Sequence, residues 1–247
     1  MEWTERIIPD ETEKGILSVH LKRYAFAYPR SEKKALLDVG CGAGYGSFYL
    51  SEIASRVTAV DSDFEAIQYA KAHFGRENVK YLAAEAEALP FFDCVFDIVC
   101  SFEAIEHTRD SKRFLAEAGR LLKPDGLFFV STPSARHSGN HSKNHHHHQE
   151  WSSPDFKALL EQYFTRVDLH WQVRKQTRAH RWLQRLDFFN WRERWMPLRV
   201  ARAVARMTNT AAFADLDLGD IEIQPQFSEN ALSQIGVCSG PKVPSKR

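Results

Sequence analysis

The sequence predicts an α/β fold built on a doubly wound, mostly parallel sheet. Short apolar runs alternate with segments of helical spacing from Ala35 to Pro133. A glycine-rich turn, Gly40-Cys-Gly-Ala-Gly44, follows the first run directly. The fourth run, CVFDIVCSF (94–102), is almost wholly apolar, as a strand covered on both faces should be. Such alternation builds parallel sheets through right-handed crossovers.

Taken in order, residues 12–28 carry apolar positions at helical spacing, and Pro29 stops the helix. ALLDVG (35–40) is the first strand, followed by a helix around 45–54. RVTAVD (56–61), rich in β-branched residues, is the second strand, and DFEAIQYAKAHF (63–74) the second core helix. NVKYLAA (78–84) and residues 94–102 follow as strands. A helix near 110–122 should end at the turn signal Lys123-Pro-Asp-Gly126, before the strand LFFVSTP (127–133). Residues 134–151 are polar and His-rich, a loop. SPDFKALLEQYF (153–164) opens with an N-cap and continues as an amphipathic helix. RVDLHWQV (166–173) is strand-like, 174–210 is a helical insertion or lid, and IEIQP and ALSQIGVC (231–238) are closing strands. No repeat or low-complexity linker divides the chain, so residues 1–247 are expected to form one domain.

Net charge is +1, so no global field draws the chain to nucleic acid or to a membrane. No stretch approaches the roughly 20 apolar residues of a membrane span. The start, MEWTERIIPDETEKG, lacks the apolar core of a signal peptide. Cys41, Cys94, Cys100 and Cys238 form no CxxC pair; Cys94 and Cys100 read as small core residues. A reduced, cytoplasmic protein is the expectation.

The glycines at 40, 42 and 44 would let the backbone approach a ligand closely, although a tight strand–helix turn alone also uses glycine. The pattern is not the GxGxxG of a dinucleotide site. Asp61 closes the second strand, where an acid can accept both hydroxyls of a ribose, and Glu85 follows the third, placed to meet an adenine edge. Three strand ends then converge on the carboxyl edge of the sheet, where open α/β folds bind ligands.

Here the chain resembles class I S-adenosylmethionine-dependent methyltransferases, and within them the branch that O-methylates small molecules. The resemblance rests on LLDVGCGAGYGS (36–47), VTAVDSD (57–63), AEAEALPF (84–91), FDIVCSFEAIEH (96–107) and RLLKPDGLFFVSTP (120–133). It implies a Rossmann-like sheet of seven strands, the last antiparallel, with S-adenosylmethionine over the first two strand ends and the helix of residues 12–28 covering it. Carried over residue by residue, Gly40, Gly42 and Gly44 would line the methionine moiety and Asp61 would hold the ribose. Asp38 would orient the turn or the cofactor's amino group, with Ser62, Glu85, Ala86 and Phe102 completing the site. Glu85 stands where many relatives have Asp.

A sulfonium methyl is already activated, so transfer needs alignment, plus a base when the acceptor is a hydroxyl. Glu103, Glu106 and His107 follow the fourth strand; three residues apart, the two acids would share one face of a helical turn. His107 can act as base, or the three can bind a divalent cation, Mg or Mn. The E-x-x-E-H order resembles both the ubiquinone-pathway O-methyltransferases and the enzymes that methylate small-RNA 3′ ends. In the latter, a His just before a Glu-Trp sequence completes a metal site, and this chain has His145 to His148 followed by Glu150-Trp151. FExxEH also occurs in relatives not known to use a metal, and the metal-free reading is preferred. His147 is the expected acceptor-facing residue, His145 a metal candidate, and His146 and His148 loop filler. His107, His147 and Glu106 are thus the catalytic candidates; Glu103, Glu106, His107 and His145 are the metal candidates.

Residues 174–206 hold ten Lys or Arg against Asp187 and Glu193, with Trp182, Phe188, Phe189, Trp191 and Trp195 interleaved. They could grip an anionic acceptor or simply pack aromatics while solvating arginines. Three functions stay in play. The first is O-methylation of a small hydroxylated or sugar-type acceptor. The second is metal-dependent 2′-O-methylation of RNA 3′ ends, which near-neutral net charge and the lack of a second RNA-binding module disfavour. The third is non-catalytic cofactor binding, against which the intact glycines and Asp61 stand.

Overall fold

The computed structural model describes residues 7–139, 146–175 and 216–242. The expected insertion lies outside the described residues from 176 to 210, and so do Asn144 and His145.

Five strands and four α-helices are described from Lys14 to Pro133. They are α1 (Lys14–Ala27), β1 (Ala35–Val39), α2 (Tyr45–Leu50), β2 (Arg56–Asp61), α3 (Phe64–His73), β3 (Val79–Ala83), β4 (Phe96–Phe102), α4 (Ser111–Leu121) and β5 (Leu122–Pro133). After α5 (Ser153–Leu160) come β6 (Phe164–Arg174), β7 (Ile221–Gln224) and β8 (Ser233–Pro241). They form one sheet in the order β3-β2-β1-β4-β5-β8-β6-β7. β1 pairs in parallel with β2 and β4, β2 with β3, and β4 with β5. β8 runs antiparallel between β5 and β6, and β7 adds an antiparallel edge to β6.

Among the described residues the sheet therefore has eight strands, not the seven that the family resemblance implies. The extra one is Ile-Glu-Ile-Gln at 221–224, whose alternating pattern fits an edge with one buried face. Further differences have local causes. α2 stops at Leu50 because Ser51 bonds back to the carbonyl of Phe48 (2.6 Å) and Asn78 takes the carbonyls of Ser51 and Ala54. Lys123-Pro-Asp-Gly126 is absorbed into β5 as an irregularity: Phe96 pairs with Leu122, and the next pair is Ile98 with Leu127. Cys94 is exposed rather than core, on a turn with φ +55 before β4. Cys100 is buried as expected.

Successive residues of β1 point to opposite faces, and each face has its own core. Leu37 and Val39 join Phe114, Phe128, Phe156 and Phe164 beneath α4 and α5. Leu36 joins Tyr24, Ala27, Leu50, Ile67 and Ala70 beneath α1, α2 and α3. Helix starts are set by side chains: Asp63 accepts from the N–H groups of Glu65 and Ala66, and Asp110 from Lys112 and Arg113. Among the described residues no helix is long and apolar enough to cross a membrane.

α1 approaches α2 so closely that a Cβ at Gly46 would sit 2.1 Å from the Tyr24 ring. Gly46→Ala should therefore displace α1 and destabilise the fold by about 1–3 kcal/mol, the usual cost of overpacking. Urea denaturation measures it; an unchanged midpoint would show that α1 is not seated as described.

Candidate active site

A cleft of about 640 Å³ opens at the carboxyl edge of β1, β2 and β4, within the size range of cofactor pockets, roughly 300–1,000 Å³. Its floor is the glycine turn. Gly40 has φ +77, and a Cβ there would come 2.6 Å from the Cβ of Ala104, so only glycine fits between β1 and the chain after β4. At Gly42, by contrast, no atom lies within 4 Å of an added Cβ, leaving the backbone open to a ligand.

Asp61 accepts the Gly42 N–H at 2.8 Å and the Asp63 N–H at 3.0 Å, which fixes the carboxylate at the end of β2. Ser62, Glu85 and Ala86 line the same wall, and Phe102 closes the floor with Tyr24 edge-on to its ring at 4.9 Å. Two expected cofactor residues stand behind the wall instead. Gly44 caps α2 with φ +88. Asp38 is fully buried beneath the turn, where it accepts from Ser47 Oγ (2.5 Å) and faces the Tyr24 hydroxyl. It orients the turn through Ser47 and the covering helix through Tyr24, and does not line the cleft. S-adenosylmethionine fits this lining: open glycine backbone, a fixed acid at the ribose position and aromatic rings toward β4.

The acids after β4 separate. Glu103 sits at φ +52, a left-handed backbone rare for a non-glycine residue. It accepts from Ser131 Oγ (2.7 Å) and Ser233 Oγ (3.3 Å) and pairs with Arg23 (3.3 Å), itself only 2% exposed. Arg23 also donates to Gln172 at 2.9 Å and Ser233 at 2.8 Å. Glu106 faces the other side and is 1% exposed, with the Thr132 hydroxyl beside it but no full hydrogen bond to either carboxylate oxygen among the described residues. Burial, with the charge of Glu103 second, pushes its pKa well above the usual carboxylate range. Thr132 and Gln234, adjacent on β5 and β8, likewise keep buried unpaired oxygens.

His107 lines the cleft and stands edge-on to His147, ring centroids 4.9 Å apart. His147 Nδ1 meets Glu150 Oε1 at 2.7 Å, and His107 Nδ1 meets the carbonyl of His146 at 3.2 Å. A ring whose Nδ1 proton is committed to an acceptor carries its lone pair on Nε2. Donor atoms of Glu106, His107 and His147 lie within 4.8 Å of one another. The cluster thus differs from the motif-based set, with His147 in and Glu103 out. The histidine roles also differ: His146 and His148 line the cleft, whereas His147 turns inward to Glu150. A backbone bond from His148 N–H to the Glu106 carbonyl (2.8 Å) sets this register. Sequence spacing gave no signal for Ser131, Gln172 or Ser233, ordinary strand residues that become neighbours only across the sheet.

The fold and cleft define a class I methyltransferase-type domain. Residues 37–130 match the family described as a methyltransferase domain. A "Probable S-adenosylmethionine-dependent methyltransferase" of Mycobacterium tuberculosis is 37% identical over 131 residues, covering 53% of this chain and 47% of that protein. A ubiquinone biosynthesis O-methyltransferase of Caulobacter vibrioides is 38% identical over 104 residues, 41% of each chain. The chain thus spans about half, or less, of the length of these relatives. A crystal structure of an S-adenosylmethionine-dependent methyltransferase from Thermotoga maritima superposes with TM-score 0.62 at 17% identity, covering 93% of this chain and 95% of that one.

Burial pushes the Asp38 carboxyl up to about 7, against hydrogen bonds from Ser47 and Tyr24 and with Asp61 adding to the rise. An unfolded chain ionises it near the ordinary 3.8. Between those values the folded state holds a proton that the unfolded state has lost. The stabilising contribution is therefore full below about pH 4 and falls as pH rises toward 7. The unfolding free energy of the wild type relative to Asp38→Asn should decline across that window; a flat difference would mean the carboxyl is ionised throughout.

Proposed function

We propose that the protein transfers a methyl group from S-adenosylmethionine to a hydroxyl of a small hydroxylated or sugar-type acceptor. The observation that carries this reading is an oriented imidazole at the mouth of the cleft, His107, beside His147 backed by Glu150. Bound S-adenosylmethionine would supply an activated methyl on sulfur. The glycine turn and Asp61 hold the nucleoside end, and the rings of Tyr24 and Phe102 shape the wall toward β4. His107 takes the acceptor's hydroxyl proton on Nε2 while the His146 carbonyl fixes its tautomer. His147, oriented by Glu150, packs against His107 and limits its rotation. The homology of residues 37–130 to S-adenosylmethionine-dependent methyltransferases supports the donor. The ubiquinone-pathway relative supports oxygen as the nucleophile.

The cleft wall bears on the acceptor's charge. Its described lining holds six carboxylates, on Asp61, Asp63, Glu65, Glu85, Glu87 and Glu103, against the single guanidinium of Arg109. Such a wall repels a polyanion, which favours a neutral acceptor over an RNA end or an anionic sugar. A second reading is favoured by one observation, the unpaired Glu106 carboxylate beside two imidazoles: a divalent cation held by Glu106, His107 and His147. A cation there would acidify the acceptor hydroxyl.

Transfer of labelled methyl to a panel of hydroxylated metabolites, sugars and an RNA 3′ end, with and without chelator, tests the proposal. His107→Ala should cut turnover by about 10²–10⁴-fold with S-adenosylmethionine affinity nearly unchanged by calorimetry. Glu150→Gln should lower kcat by roughly 10-fold or more and shift its pH profile. Turnover unchanged in His107→Ala would remove it from the mechanism; labelling of RNA alone would overturn the acceptor class.

A further inference from the structure

The E-x-x-E-H order offers both carboxylates to one ligand, but the chain's own packing keeps one of them away. Glu103 precedes the 3₁₀ turn Ile105–His107, and its left-handed backbone turns its side chain toward α1, where Ser131, Ser233 and Arg23 occupy both oxygens. Arg23 has no route to solvent and is pinned by Gln172 and Ser233. Moving Glu103 to a cation would strand that guanidinium without its counter-charge in the interior, a large cost.

On the other side, Glu106 presents a buried carboxylate with the Thr132 hydroxyl beside it but no full hydrogen bond to either oxygen among the described residues, and such a group calls for a proton or a cation. His107 and His147 lie within 4.8 Å of it, each oriented through Nδ1 by an oxygen acceptor, the arrangement that backs metal-bound imidazoles. Donors about 2.1 Å from a tetrahedral ion stand roughly 3.4 Å apart, so the cluster must close by up to about 1.4 Å, within the reach of side-chain rotation.

We propose that Arg23 holds Glu103 out of this cluster, so that a cation meets one carboxylate and two imidazoles, and that the site therefore selects a borderline transition ion over Mg²⁺. Mg²⁺ dehydrates reluctantly and prefers oxygen ligands in octahedral array. Imidazole-rich sets suit Zn²⁺, Co²⁺ and related ions, and three protein ligands leave positions open for an acceptor oxygen. Arg23 is here a positioning residue that sets the ligand count. The inference rests on the cation reading of the site and needs no methyl transfer.

The test is direct titration of the chelator-stripped full chain with Co²⁺, followed by its visible absorption, then competition with Zn²⁺, Mn²⁺ and Mg²⁺. One Co²⁺ per chain is expected, displaced by Zn²⁺ but not by a roughly 1,000-fold excess of Mg²⁺. Glu106→Gln and His147→Ala should each weaken Co²⁺ by about 100-fold or more, whereas Glu103→Gln should change it by less than about threefold. Because Glu103→Gln leaves Arg23 unpaired, the double variant Arg23→Met/Glu103→Gln provides the same comparison with both charges gone; thermal melts confirm folding of each. A loss in either Glu103 variant equal to that of Glu106→Gln would make Glu103 a ligand and overturn the proposal. So would displacement by equimolar Mg²⁺. Absence of any Co²⁺ binding would also reject it while leaving nucleoside binding and methyl transfer to be judged separately.

Discussion

A guanidinium buried at the carboxyl edge of the sheet organises much of what surrounds it. Arg23 reaches from α1 to Gln172 on β6, Ser233 on β8 and Glu103 after β4. A charge so placed must be answered by neighbours, because solvent cannot reach it. Each answering residue sits on a different strand end. One interaction therefore fixes the covering helix over the cleft, the register of the antiparallel strands, and the direction in which Glu103 points. Tyr24, the next residue, adds a second tie through Asp38 and Phe102.

The consequence is a site divided by the sheet. The α1 face holds a neutralised Arg–Glu pair, and the α4–α5 face holds Glu106 with the two histidines. Both acids arise from one short motif, yet they meet different chemistry because the backbone changes hand at Glu103. The His-rich loop is drawn to the second face by two bonds, His148 N–H to the Glu106 carbonyl and the His107 ring to His146. Catalytic options concentrate there, where imidazoles and an unpaired carboxylate share a small volume. Fold alone does not choose among them, since one scaffold hosts many chemistries and the site residues decide.

Much of this could be read from the sequence. The apolar runs at 35–40 and 94–102 are strands covered on both faces, and that demand shows in their composition, while 56–61 and the half-exposed edge at 78–84 extend the sheet beside them. The glycine turn and Asp61 meet at one edge because parallel strands place all their carboxyl ends together. Other features were less legible. Lys123-Pro-Asp-Gly126 has turn chemistry but lies inside β5, where pairing with β4 overrides local preference. The edge strand at 221–224 is visible in the sequence as IEIQP, and only the seven-strand count implied by the family resemblance falls one short. The motif leaves Asp38 to orient either the glycine turn or the cofactor's amino group, and its burial against Ser47 and Tyr24 gives it the first role.

By itself, the sequence determined the doubly wound class, the succession of its core strands along the chain and the edge on which a ligand would bind. These follow from local periodicity and from glycine positions, which act over a few residues. Only the tertiary structure decided which acid pairs with Arg23, which histidine turns inward, and which residues can share a cation. Those outcomes depend on contacts between residues 39 to 210 positions apart, from His107 with His146 to Arg23 with Ser233. No local pattern carries that information, because burial and charge balance are settled only when the strands are side by side.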